Sequence, residues 1–214
     1  GIDATQFSGV DAEGGLAVVS GGTSNMSVLD ITNMDEITLV ASLPKDLGFA
    51  DVTLSGSRAF ISSDVSGDYS YGIPIYDLSD PVRPILLDTL GVPKQETISR
   101  VRMPANFDLS LNVIRNVLLL VGGGNLTVML VPDVTNVRVV TSLCIVKNCS
   151  DTDAVHVDRE GEFVVVSGGD ITVFNVAILS RTFMVRQILT PGVARGLAIQ
   201  DGIAYVADGG AGLT

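Results

Sequence analysis

The chain has 214 residues, 46% of them hydrophobic and 17% charged, with 13 Lys+Arg against 24 Asp+Glu for a net charge of −11. That apolar supply, at a charge density below the ~25% usual for a soluble domain, excludes disorder as the main state. The acidic balance argues against nucleic acid as a partner, and no apolar run approaches the ~18–20 residues of a membrane span.

Taken in order, the chain reads as short apolar runs bounded by small or acidic turn residues. Residues 2–8 have room for one strand. Strands are then predicted over 16–22, 27–31 and 37–43. A second set covers 51–56, 59–64, 73–78 and 84–90. A third covers 118–123, 126–131 and 137–143, and the Leu109, Leu111, Val113 alternation of 106–116 before it suits a strand or a loop. The fourth covers 154–158, 163–169, 171–176 and 183–189. A fifth starts over 196–200 and 204–210, and its third strand is expected to begin at Gly212-Leu213-Thr214. No segment sustains a 3.6-residue period.

Four strands therefore recur as a unit, at a spacing in the ~40–45-residue range of a β-propeller. The expected repeats are residues 1–47, 48–93, 94–147 with an inserted loop, 148–192 and a partial 193–214. A lone four-stranded blade cannot bury both faces, whereas stacked blades can. This accounts for near-continuous apolar strands. The fold class expected is all-β, a β-propeller of four-stranded antiparallel blades. With no Met at its start and an unfinished fifth repeat, the chain reads as about four and a half blades of a longer polypeptide.

The stretch Gly72-Ile73-Pro74-Ile75-Tyr76-Asp77-Leu78-Ser79-Asp80-Pro81-Val82-Arg83-Pro84 resembles the LVIVD repeat family of bacterial and archaeal propellers. Asp201-Gly202-Ile203-Ala204-Tyr205-Val206-Ala207-Asp208 resembles a second stretch of that repeat, and Val28-Leu29-Asp30-Ile31-Thr32 is a weaker copy. The third and fourth repeats have lost the Asp-x-Ser-Asp-Pro turn, reading Pro132-Asp133-Val134-Thr135-Asn136 and Asn175-Val176-Ala177-Ile178. The resemblance implies an exported propeller, often part of a larger surface protein, with no shared catalytic residues.

The turns have a mechanical reading. Asp and Ser side chains in Asp77-Leu78-Ser79-Asp80-Pro81 are placed to bond the backbone two residues on, and Pro81 presets a turn dihedral. The Gly-Gly pairs at 21–22, 122–123, 168–169 and 209–210 permit positive φ between strands.

Chemistry-bearing residues are few. His156 is the single histidine. It stands near Asp153 and Asp158, which with Asp51 are the candidates for acid–base work. Asp64 and Asp68 flank a hydroxyl-rich loop that offers calcium some of its six to eight oxygens, without the spacing of an EF-hand. No other cofactor is expected. Arg100, Arg102 and Arg115 lie in or beside the insertion. Cys144 and Cys149 are close enough in sequence for a disulfide. Asn25, Asn125 and Asn148 begin Asn-x-Ser/Thr sequons that matter only in a glycosylating pathway.

These features lead to an extracellular or cell-surface location and a non-catalytic interaction or scaffold module. Its partners would be a protein or carbohydrate and the remainder of a longer polypeptide. Two further expectations stand beside it: a hydrolase or lyase with an acidic site at the central channel, and a structural subunit that self-associates through open blade edges.

Overall fold

The computed structural model describes residues 7–21, 26–43, 48–64, 72–91, 110–114, 116–122, 125–132, 138–145 and 156–214. Nearly all of these lie in or between β-strands. The first sheet is β1 (Phe7–Glu13), β2 (Leu16–Gly21), β3 (Met26–Asp30) and β4 (Thr38–Leu43). The second is β5 (Gly48–Ser55), β6 (Arg58–Asp64), β7 (Gly72–Asp77) and β8 (Ile85–Gly91). The third is β9 (Ser110–Ile114), β10 (Val117–Gly122), β11 (Asn125–Leu130) and β12 (Arg138–Cys144). The fourth is β13 (His156–Glu160), β14 (Phe163–Gly168), β15 (Asp170–Asn175) and β16 (Phe183–Ile188). A two-stranded sheet follows, β17 (Gly196–Gln200) and β18 (Ile203–Ala207). Among the described residues the only helical turns are short 3₁₀ segments at Leu179–Arg181 and Gly209–Ala211.

Each sheet is an antiparallel meander whose strands pair in chain order. The repeat extends to a defect. In all four complete sheets the third and fourth strands are offset by a bulge, at Val28/Leu29, Ile75/Tyr76, Val128/Met129 and Val173/Phe174. A bulge at a fixed register position increases the local twist. Four-stranded antiparallel sheets repeated in this way make the fold all-β and of the β-propeller class.

Two compact units divide the chain, Gly1–Ser99 with Pro132–Asn136, and Arg100–Val131 with Val137–Thr214. In the first, the β1–β4 and β5–β8 sheets share a core containing Val18, Met26, Val28, Leu43, Val52, Leu54, Ile61, Tyr76 and Leu78. In the second, Val117, Leu119, Val128, Val157, Val164, Phe174 and Val176 join the third sheet to the fourth. A further cluster of Val165, Ile171, Ala194, Leu197 and Val206 joins the fourth sheet to β17–β18. Each sheet thus hides an apolar face against its successor within the unit, which is why its central strands lack strict polar alternation.

One expectation is corrected. The opening strand runs over Phe7–Glu13 rather than inside 2–8. It carries Asp11 and Glu13, poor strand formers whose carboxylates are bonded across to the next sheet. The turn that closes this hairpin is Gly14-Gly15, at φ 61 and φ 85, the paired left-handed residues of a type I′ turn. Of the later glycine pairs, Gly169 and Gly209 take positive φ while Gly168 and Gly210 do not, because one residue suffices to reverse the chain there. The insertion residues Arg100, Arg102 and Arg115 lie outside the described residues.

Candidate functional site

The single histidine opens β13, directly opposite Ser167 in β14. Opposite residues of an antiparallel pair lie on one face, their Cβ atoms ~4.5–5.5 Å apart. Asp158, two residues along β13, shares that face. The register, set by the tight turn at Gly161-Glu162, therefore brings His156, Ser167 and Asp158 together. No local sequence pattern pairs a serine with His156, because the two meet across the hairpin.

The hydrogen bonds decide what this trio can do. Ser167 is fully buried, and its Oγ donates to the Arg195 carbonyl at 3.2 Å. Asp158 Oδ1 accepts the Arg159 amide at 2.7 Å and Oδ2 the Ile199 amide at 2.8 Å. The hydroxyl thus bonds a backbone carbonyl and the carboxylate two backbone amides, and the Asp158 bond to Ile199 ties β13 to β17. Two residues on, Glu160 Oε2 accepts the Gly202 amide at 2.7 Å.

The same device stands at the start of the chain. Asp11 Oδ2 accepts the Leu54 amide at 2.7 Å and the Thr53 hydroxyl at 3.2 Å. Glu13 Oε2 accepts the Gly56 amide at 2.9 Å. Both pairs have the form Asp-x-Glu-Gly, in Asp11-Ala12-Glu13-Gly14 and Asp158-Arg159-Glu160-Gly161. That tetrapeptide, ending a first strand, is the signal by which the ties could have been found in the sequence. Asp51 is also engaged locally. Its Oδ1 accepts the Val52 amide at 2.9 Å, and Gly9 of β1 lies close against it.

Turn carboxylates form another set. Asp30 Oδ1 accepts the Thr32 hydroxyl at 2.6 Å and its amide at 2.9 Å. Asp77 Oδ1 accepts the Ser79 amide at 2.8 Å, and Asp80 Oδ1 the Val82 amide at 3.3 Å, as the turn reading requires. In the fourth repeat Asn175 does the same work, accepting the Ala177 amide at 3.0 Å, so that repeat keeps the side-chain-to-backbone bond without an aspartate. The Thr32 hydroxyl and amide hold the Asp30 carboxyl below its ordinary value. The Ser79 amide, with its hydroxyl and the Arg58 charge, does so for Asp77.

Asp208 differs from these. It is fully buried at the end of β18, and its Oδ2 accepts the Gly192 amide at 2.9 Å. Its Oδ1 is buried, with no hydrogen-bond partner among the described residues.

Of the remaining candidates, Asp153, Asp68, Cys149, Asn25 and Asn148 lie outside the described residues, and of Asp64 only the backbone is described. Among the described residues no group of three or more His, Cys, Asp or Glu is placed to hold a metal ion. Cys144, last residue of β12, is disulfide-bonded. Asn125 opens β11 opposite Cys144 and is partly buried.

No family model and no curated protein matches the chain. Solved structures do. A functionally unknown protein from Desulfotomaculum acetoxidans DSM 771 superposes with a TM-score of 0.69 at 12% identity, over 94% of this chain and 62% of that one. The periplasmic gluconolactonase PpgL of Pseudomonas aeruginosa gives 0.67 at 14% identity, over 91% and 60%. A protein from Lactobacillus plantarum gives 0.68 at 14% identity, over 94% and 66%. At these identities the likeness is one of fold. The chain spans 60–66% of the length of these three structures.

Proposed function

We propose that the chain is a non-catalytic interaction or scaffold module of an extracytoplasmic or cell-surface protein, built from LVIVD-like repeats within a longer polypeptide. It binds a protein or carbohydrate partner through displayed loops and sheet edges. The observation that carries this reading is the bonding of Asp158 to the backbone of the next sheet. Both its oxygens accept backbone amides, from Arg159 and Ile199, so the carboxylate beside His156 serves as a structural tie between strands. The adjacent Ser167 hydroxyl donates to a carbonyl instead of toward a base, the reverse of an activated nucleophile. The export reading draws on the repeat resemblance in Gly72–Pro84, and the acidic surface favours solubility.

One observation favours a hydrolase instead, the likeness of fold to the periplasmic gluconolactonase. Fold alone does not carry an activity across. The two readings separate in one assay of the full chain with glucono-δ-lactone and a p-nitrophenyl ester at pH 7. The expected result is hydrolysis at the buffer rate, unchanged in His156→Ala. Turnover above buffer that His156→Ala abolishes overturns the non-catalytic reading.

A further inference from the structure

We infer that Asp208 anchors a calcium site. Its buried Oδ1 and oxygens of the β16–β17 connection hold one ion between that connection and the turn after β18. The site is independent of the partner reading above.

The repeat does not call for an acid at this place. His156 faces Ser167, Ser110 faces Val121 and Gly196 faces Ala207, each pair at the opening of a first strand. The next residue along the second strand is Gly168 in the fourth sheet and Gly122 in the third. After β18 it is Asp208. Glycine buries no polar side chain there, whereas Asp208 is fully buried with its carboxyl group. A buried carboxylate is costly unless it is paired, hydrogen-bonded or bound to a metal.

Ordinary partners account for only half of this carboxylate. Asp208 holds the N-cap position of the 3₁₀ turn Gly209–Ala211, where an aspartate commonly accepts an amide of the turn. Its side chain makes no such bond. It reaches the β16–β17 connection instead, where Oδ2 accepts the Gly192 amide at 2.9 Å. Oδ1 is enclosed without a hydrogen-bond partner among the described residues. No Lys or Arg side chain is bonded to either oxygen among those residues. The atoms that enclose Asp208 belong to this chain, so the state of Oδ1 does not depend on an open strand edge.

Oxygens suited to a hard cation stand on the connection. Gly192 lies so close that a Cβ there would meet the Asp208 carbonyl oxygen and stand 3.1 Å from the Asp208 carboxyl carbon. The Val193 carbonyl oxygen reaches the turn as well, 3.3 Å from where a Gly209 Cβ would stand. Thr190 Oγ1 donates to the Gly192 carbonyl at 3.3 Å and to the Gly169 carbonyl at 3.2 Å. Its single proton is shared, which leaves the hydroxyl and the Gly192 carbonyl with lone pairs to give. A carboxylate with carbonyl and hydroxyl oxygens is a donor set for calcium, and it needs no cluster of acids. Water completes the roughly six to eight positions. Magnesium fits less well, because it gives up its water reluctantly and Oδ1 is enclosed. With one carboxylate the affinity falls at the weak end, about 10⁻⁴–10⁻³ M, the range of extracellular calcium modules. The ion neutralises the buried charge and fastens the connection to the end of β18.

Thermal melts of the full chain test this in a chelating buffer and in about 5 mM calcium chloride, a concentration above that affinity range, at matched ionic strength. Calcium is expected to raise the parent's melting temperature by about 3–5 °C, and equilibrium dialysis to count one ion per chain. In the chelating buffer Asp208→Asn is expected to melt with the parent or above it, which shows that the variant folds, and then to gain nothing from calcium. Amide exchange read on the parent alone needs no variant. Calcium is expected to slow it in peptides covering 190–195 and 207–213 and to leave those covering 58–77 unchanged. Failure of calcium to shift the parent, an equal shift in Asp208→Asn, the same shift from magnesium or sodium, or slowed exchange elsewhere overturns the proposal. So does a shift that survives Asp208→Asn and disappears in Asp64→Asn/Asp68→Asn, since the ion would then sit in that other loop. Lactone turnover is read separately, so this site and the non-catalytic reading fail on different measurements.

Discussion

Asp158 Oδ2 accepts the Ile199 amide at 2.8 Å, joining the first strand of one sheet to the first strand of the next. Asp11 makes the equivalent bond to Leu54 at 2.7 Å in the other compact unit. Neighbouring sheets pack through apolar faces that are individually non-directional. A carboxylate aimed at one particular amide adds direction and fixes how far one strand slides along the other.

Hydrogen bonds to charged groups contribute about 1.5–3 kcal/mol each. Asp158→Ala is therefore expected to destabilise the chain by roughly 2 kcal/mol, and Asp11→Ala by a similar amount, since each strands a neighbouring amide. Glu160→Gln, at an exposed bond that the amide oxygen can still accept, is expected to change stability by under about 0.5 kcal/mol. Urea denaturation at pH 7 measures all three. Equal effects of Asp158→Ala and Glu160→Gln would contradict the tie.

Stability toward acid follows from the turn carboxylates. The folded pKa of Asp30 and of Asp77 lies below the ordinary aspartate value. A depressed folded pKa gives stability that is present above the unfolded value and is lost as pH falls through the folded one. The loss is thus expected below about pH 4. Asp30→Asn and Asp77→Asn keep an oxygen acceptor, as Asn175 does naturally. The double variant is expected to melt close to the parent at pH 7 and to lose less of its melting temperature between pH 5 and pH 3. A parent and variant with identical acid slopes would rule these two turns out as contributors.

Close approach of β1 to β5 is expected to make Gly9 intolerant of a side chain. A Cβ at Gly9 would stand 2.5 Å from Asp51 Oδ1 and 2.9 Å from Asp51 Cα. The carboxylate can turn away, but the main chain cannot without parting the strands. Gly9→Ala is expected to cost about 1–3 kcal/mol, the range for overpacking. Gly161→Ala meets open space at φ +58 and is expected to cost about 1–2 kcal/mol from backbone strain alone. The cheap discriminator is a second substitution. Asp51→Ala is expected to recover little in Gly9→Ala, because the clash with the Asp51 main chain persists, and nothing in Gly161→Ala.

Asp208 offers a test of opposite sign. Its Oδ1 is buried without a partner among the described residues, while Oδ2 holds the Gly192 amide. Asp208→Asn keeps an acceptor for Gly192 and removes a buried charge, so it is expected to be neutral or stabilising by up to about 1 kcal/mol. Asp208→Ala loses the bond and is expected to destabilise by about 1–2 kcal/mol. Thermal melts of the two variants would then bracket the parent, and a large loss in Asp208→Asn would mean that the charge itself is needed.

Much of the architecture is legible in the residues alone. The runs Leu16–Gly21, Val117–Gly122, Phe163–Gly168 and Ile203–Ala207 announce strands through β-branched residues ending in small ones, and their spacing announces the repeat. The Asp77-x-Ser79 turn is readable too, because an Asx turn is closed by atoms two residues apart. Other features are not. Phe7–Glu13 hides as a strand because Asp11 and Glu13 look like loop residues until the amides of Leu54 and Gly56 stand opposite them. Asn175 looks like a lost turn until its side chain is seen accepting the Ala177 amide.

Period, strands and local turns follow from the chain's own order of residues, since they depend on side-chain type and on bonds between near neighbours. What the carboxylates do, and which apolar residues remain uncovered, depends instead on how the sheets stack. Asp158 as a base and Asp158 as a tie are the same residue in the same tripeptide. The difference lies in an amide supplied by Ile199, which register and sheet stacking bring to it.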